Sequence, residues 1–432
     1  MNEKQNQNQH DAYEHAFERV PDSKRKSLLS LIIVLAGYPI ALSNFVIGGN
    51  VAIGLSFSEA MLALLAGNLV LICIVVATGI FAFRTGLSTA FLSRRAFGKS
   101  GSSIFSILLA ISAVTWISLN GDIFARLIDT TFGWWFLSIP VTAVICILLW
   151  MQSAIRGFKG LHFISALGVP AALIMSAAGV IAVGIHTSGF EGITEYVPVE
   201  PITFTAGSAA VVGGWVFGAV ITPDVCRFAK KESHVLIAGA IAFVIGCFGL
   251  QFAGALVAIS TGYGDFTAAM AALGLSLIAF VAAIFCLWTT QDNNIYGASL
   301  ALQNIIKETS FYGKITHKNI AVGISGLAAL FAALGIYDHI IPIISNLSVL
   351  ITPVPGLIIA EEAIVKSPNS EKVVNWFGII AWLAGGITGF IALQANFFIP
   401  PVIGMGTSFV IYVVLGKLVC KNVSTDKSEV KA

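Results

Sequence analysis

Charge is what this chain has least of. Lys, Arg, Asp and Glu make up 11% of its 432 residues, where a soluble globular chain carries about 25%. Apolar residues make up 57% and the mean hydropathy is +0.89. That balance excludes a water-soluble fold. The net charge of +2 gives no basis for nucleic-acid binding. Metal-ligand patterning is also missing. The six cysteines form no CxxC pair, and Cys73, Cys146, Cys247 and Cys286 stand inside apolar runs, where they act as small hydrophobes. His162, His186, His317 and His339 are scattered over span ends and loops. No nucleophile–base or metal set emerges, so an enzyme is not expected. The polar opening stretch has no apolar h-region and reads as a cytoplasmic tail, residues 1–27. No loop is long enough to form a soluble domain.

What the chain does have is long apolar runs. A bilayer core of ~30 Å needs roughly 20 apolar residues per helix. The sequence predicts twelve spans, near 28–53, 58–83, 102–128, 135–151, 162–185, 206–228, 234–260, 268–300, 319–336, 340–364, 373–394 and 401–419. They form one transporter domain over 28–419, with 420–432 as a second cytoplasmic tail. Lysine and arginine provide an independent check. All fall on one side of this alternation except Arg126, at the outer end of span 3. The opposite loops carry Glu191, Glu195, Glu200, Asp265 and Asp338. The positive-inside rule then places both termini in the cytoplasm and the protein in the cell membrane.

Spans 1 and 6 are interrupted in corresponding places. Span 1 reads LAGYPIALSN, with Gly37 and Pro39 mid-span, and span 6 reads VVGGWVFGAVITPD, with Gly213, Gly214, Gly218 and then Pro223. Proline removes a backbone donor and clashes with the preceding turn. Matched interruptions in two halves point to an inverted-repeat transporter with a site at the midplane. Unwinding is expected in both spans, although glycines also permit close helix packing. Span 8 turns from apolar to the run Thr289, Thr290, Gln291, Asp292, Asn293, Asn294. Threonine hydroxyls suit a hard cation, and the amides suit a polar ligand or neighbouring helices. A lone threonine would ordinarily bond its own helix. Trp116 and Trp215 lie deep in spans 3 and 6, with Asn120 one turn after Trp116. Two deep indoles could sandwich a flat heterocycle whose edge Asn120 would bond; core packing is the alternative use of each.

Four segments together carry a family resemblance: WTTQDNNIYGASLALQNI, FRTGLSTAFLSRRAFGKSGS, TPDVCRF and TPVPGLIIAE. They resemble the nucleobase–cation symporter (purine–cytosine permease) family, and the first is closest to the cytosine-permease branch. The resemblance runs in register from about Gly37 to Glu361. It implies an all-α membrane protein of the LeuT type: a 5+5 inverted repeat plus two C-terminal helices, with helices 1 and 6 broken. It implies import of a nucleobase-like ring with a sodium ion or proton. Thr289 and Thr290 would supply side-chain oxygens to sodium, with the carbonyls of Gly37, Ile40 and Cys286. Trp116 and Trp215 would stack on the ring, with Asn120, Gly214, Phe217, Gln291 and Asn293 around it. Ala113 stands where cytosine permeases carry a glutamine, Gln291 where they carry an asparagine, and Gly214–Trp215–Val216–Phe217 where they carry a phenylalanine between serines. The tryptophan and the Asn120 amide are more like the hydantoin-transporting branch.

The expectation is therefore a monomeric, bilayer-embedded, sodium-coupled importer. Proton coupling, through Asp122, Asp224 or Asp292, is the nearest alternative. A channel would instead need a polar stripe along several helices.

Overall fold

The computed structural model is all-helical. It describes residues 19–429 except 38, 156–157, 187–189, 191, 307–308, 311–313 and 368–372. For 37, 90, 158–166, 293, 296, 300, 304, 317 and 418–429 it describes the backbone alone. Among the described residues, eight helices are long and apolar enough to cross a membrane, and two shorter apolar helices accompany them.

The first helix is interrupted where the sequence places Pro39. Helix α1 (Leu28–Gly37) ends before it and α2 (Leu42–Ala52) begins after it. The amide of Ile40 still reaches back to Ala36 at 3.2 Å. The amide of Ala41, however, donates to the Pro39 carbonyl at 2.9 Å, and that of Asn44 to Ala41 at 3.1 Å. Both amides that an unbroken helix would aim at the carbonyls of Gly37 and Ile40 thus donate elsewhere.

Helix α3 (Phe57–Thr85) starts at a capping box, with the Ser56 hydroxyl 2.6 Å from Glu59, and stops at Gly86 in the left-handed conformation (φ 71°). A short helix α4 (Thr89–Phe97) follows, and the Asp224 carboxylate accepts its first amide at 2.7 Å. Asp224 is thus tied to a helix start. Helices α5 (Ser103–Thr131), α6 (Ile139–Ala154) and α7 (Phe158–His186) complete the first half.

The second half begins with α8 (Phe204–Ile221), capped by Thr203. Here the structure corrects the expectation that helix 6 is broken. Helical bonding runs through Gly213 and Gly214 without interruption, and the chain bends only at the single turn Pro223–Cys226. These glycines serve packing instead. A Cβ on Gly213 would meet the backbone oxygen of Ile344, and one on Gly214 the Ile47 side chain. Helix α9 (Glu232–Thr261) contains a π-helical segment, Ala242–Gly249. The expected span 8 is also divided. A short α10 (Phe266–Ala272), capped by Asp265, ends near Gly274 (φ 68°), and α11 (Ser276–Ile306) carries the polar run. Then come α12 (His317–Ala333), α13 (Ile336–Val365, closing on a π turn), α14 (Trp376–Gln394) and α15 (Pro400–Glu429). The backbone of α15 continues into the stretch expected to be a tail.

Packing sorts the helices into bodies. Helices α1 and α2 pack with α9, and α3 packs with α8 and α9, while α5, α6, α11 and α12 pack on one another. Helix α7 crosses from α11 to α9, α13 lies along α8, and α14 and α15 pack on each other outside α13. Direct contact between the body of α1, α2, α3, α8 and α9 and the body of α5, α6, α11 and α12 is slight.

Candidate functional site

The expected site residues sit where these bodies meet. Ile40, Trp116 and Cys286 belong to one buried apolar cluster, and Trp215, half-buried, packs against it. Trp215 also touches the second cluster, so it stands at the seam between the two. Phe217 is part of that second cluster, and a Cβ on Gly297 would lie 3.7 Å from its ring. It thus faces a point on α11 beyond the polar run.

Helix α5 joins α11 through a hydrogen bond from the Gln291 amide to the Ile117 carbonyl, 2.9 Å. Asn120, one turn from Ile117, is fully buried, and neither its oxygen nor its nitrogen has a partner among the described residues. The same holds for the indole nitrogen of Trp215, the Gln291 side-chain oxygen and the Asn294 side-chain nitrogen. A buried polar atom without a partner costs roughly 1–3 kcal/mol. These are five donor and acceptor atoms on α5, α8 and α11 with bonding capacity left for a polar ligand; Ser112 Oγ and Asp292 Oδ2 on the same helices are likewise unpartnered. The side chain of Asn293 lies outside the described residues.

Asp292 faces another way. Its carboxylate accepts from the Ser153 hydroxyl at 2.6 Å, and Ser153 accepts from the Trp288 indole at 2.7 Å. This network fastens α11 to α6.

The two threonines bond to their own helix. Thr289 donates to the Phe285 carbonyl and Thr290 to Cys286, each at 2.9 Å. A hydroxyl that donates backwards keeps its lone pairs, so this geometry leaves both oxygens able to ligate a cation. Helix α7 crosses at this level. The Cys286 thiol lies 3.1 Å from the Gly168 carbonyl, and a Cβ on Gly168 would come within 2.9 Å of the Thr289 oxygen. The oxygens open to a cation are these two hydroxyls and, at the α1–α2 break, the carbonyls of Gly37 and Ile40, whose usual amides donate elsewhere. That chemistry fits a hard monovalent cation.

The comparisons give this arrangement its context. Residues 19–416 match the family described as "Permease for cytosine/purines, uracil, thiamine, allantoin". The chain belongs to this permease family. It is 30% identical over 376 residues to the cytosine permease of Escherichia coli K12, covering 86% of this chain and 87% of that one. The cytosine permease of Escherichia coli O157:H7 matches over the same length at the same identity. Among solved structures, the inward-facing conformation of Mhp1 superposes with a TM-score of 0.79 at 17% identity, covering 94% of this chain and 93% of that one. Mhp1, a nucleobase-cation-symport-1 family transporter, closed with bromovinylhydantoin bound, gives 0.72 at 17% identity over 94% and 95%. A sodium-coupled sialic acid symporter in an outward-open state gives 0.58 at 12% identity over 90% and 95%. The fold of this permease is therefore that of Mhp1, and it is a multi-pass membrane protein.

Several polar groups had no place in the sequence reading. Asn44, Asn68 and Gln251 are lone amides in three separate apolar runs, yet they meet in the core. Arg126, the one basic residue on the wrong side of the alternation, pairs with Asp122 and with Asp338, both at 2.7 Å, and lies over the Tyr337 ring.

Proposed function

We propose that this permease imports a neutral, planar, nucleobase-like heterocycle by symport with sodium, through alternating access of a twelve-span fold in the cell membrane. The observation that carries this reading is the pairing of deep indoles with unpartnered amides. Trp116 belongs to one cluster and Trp215 packs against it; Asn120, one turn along α5 from Trp116, has both side-chain polar atoms unpartnered, and Gln291, bonded to the intervening Ile117 carbonyl, keeps an unpartnered side-chain oxygen. Stacking on a π face holds any flat ring and discriminates little. The amides then choose among rings, because a ligand lacking the matching edge leaves them unpaired. Sodium would sit between Thr289, Thr290 and the carbonyls of Gly37, Ile40 and Cys286, and its differential binding would tie cation entry to substrate entry. The slight direct contact between the body of α1, α2, α3, α8 and α9 and the body of α5, α6, α11 and α12 supports rocking of one against the other. Both termini face the cytoplasm in this reading, and the monomer is the working unit.

Uptake of labelled heterocycles (cytosine, purines, uracil, hydantoins) into proteoliposomes, with and without a sodium gradient, tests it. Sodium should stimulate uptake of at least one ring. Thr289→Ala and Thr290→Ala should raise the half-saturating sodium concentration. Trp215→Leu should weaken substrate binding by roughly 1–3 kcal/mol, while Trp215→Phe should keep most of it. Uptake driven equally by a pH gradient in sodium-free buffer would transfer the coupling to protons.

A further inference from the structure

The break between α1 and α2 is held by something beyond its own sequence. The Asn68 amide on α3 donates to the Gln251 side-chain oxygen on α9 at 2.6 Å, and the Gln251 amide donates to the Asn44 side-chain oxygen on α2 at 2.9 Å. The Asn44 amide then donates to the backbone carbonyl of Pro39 at 2.6 Å. All three side chains are buried, Asn44 and Gln251 completely.

Two further features converge on the same point. The π-helical segment Ala242–Gly249 of α9 lies against the break, and a Cβ on Gly246 would stand 2.7 Å from the Pro39 ring. Wide turns of this kind mark places where a helix is shaped for a task beyond packing. Below it, α2 and α9 touch backbone to backbone. A Cβ on Gly48 would strike the Gln251 carbonyl, and one on Gly254 the Phe45 carbonyl. Such proximity brings the Gln251 side chain within reach of Asn44.

We infer that Asn68, Gln251 and Asn44 form a directional amide relay that positions the α1–α2 break. They are positioning residues that touch neither cation nor substrate. The relay has a fixed polarity: Asn68 starts it, its own side-chain oxygen without a partner among the described residues, and Gln251 and Asn44 each give a hydrogen forward and accept from behind. Its last hydrogen occupies the Pro39 carbonyl, which has lost its place in a helical ladder. The neighbouring carbonyls of Gly37 and Ile40 are then held at the orientation that this turn imposes. The inference rests on the cation-coupled reading above in one respect only: the value of holding those carbonyls is that a cation meets them preorganised.

The experiment has two readouts on Asn44→Leu, Gln251→Met and Asn68→Leu, each an apolar replacement of similar volume. The first is hydrogen–deuterium exchange of peptides spanning 36–44 in the full-length protein. Exchange there should quicken in all three variants, most in Asn44→Leu, and by more than in peptides distant from the break, where it follows only the loss of stability that an unpaired buried amide brings. The second is uptake. The half-saturating sodium concentration should rise about fivefold in Asn44→Leu, the factor that one neutral hydrogen bond corresponds to. The substrate KM at saturating sodium should stay as in the parent chain. A merely structural role would lower the amount of folded protein and leave both half-saturations alone. If Asn44→Leu does not fold, Asn68→Leu, farthest from the break, carries the same test. Unchanged exchange over 36–44 in the folded variants overturns the relay. If the parent chain takes up substrate without regard to sodium, the sodium reading falls, and the exchange readout still decides the relay.

Discussion

Arg126 shows how strongly burial decides the worth of a single residue. It bonds two carboxylates at equal distance, 2.7 Å. The Asp122 side chain is 3% exposed, whereas the Asp338 side chain is 62% exposed. Removing the exposed partner should cost about 0–1 kcal/mol. Removing Arg126 strands a buried carboxylate, which costs on the order of 3–5 kcal/mol. Thermal unfolding in detergent should therefore show a large loss for Arg126→Leu and a small one for Asp338→Ala; equal losses would mean that the two pairs are alike. The sequence displayed Arg126 as an exception to the charge pattern but could not display its partners, which come from its own helix and from the first turn of α13. The threonine pair, the deep tryptophans and Asn120 were legible because polar or indole groups inside apolar runs stand out. The amides of the relay were not. Each is one polar residue in a separate span, with its partner up to 207 positions away, and only the fold brings them together.

At the scale of elements, Pro39 and the span 6 glycines make an instructive contrast. A proline interrupts a helix by covalent necessity, and α1 and α2 part there as the sequence indicates. A glycine pair permits either unwinding or contact, and the neighbour decides which. In α8 the neighbour is α13, whose Ile344 carbonyl leaves no room for a methyl group at Gly213. Gly213→Ala should therefore lower stability by about 1–3 kcal/mol through overpacking, or more if the helices cannot separate. Differential scanning of the purified variant checks this. A variant as stable as the parent chain would mean that α8 can unwind there to absorb the methyl group. The division of span 8 into α10 and α11 was hidden for a related reason: alanines and leucines continue across Gly274, and hydropathy does not register a left-handed residue.

The whole molecule poses the question of sidedness, which the helical coordinates do not carry but lysine and arginine do. A cysteine at Thr261, the last residue of α9, should react with an impermeant thiol reagent applied from outside. A cysteine at Ser100, between α4 and α5, should react only after permeabilisation. The opposite pattern would invert the protein in the membrane. The all-helical fold and the placement of most helices followed from hydropathy. The sorting of the helices into two bodies did not, since it depends on which faces meet. One of those meetings has a consequence for the variation this protein can accept. Between α2 and α9 the backbones themselves are in contact at Gly48 and Gly254. In a library carrying every amino acid at every position, these two columns should return glycine alone, while exposed apolar residues of α9 such as Leu236, Val244 and Ile245 drift freely. The seam would be written in the surviving clones as silence.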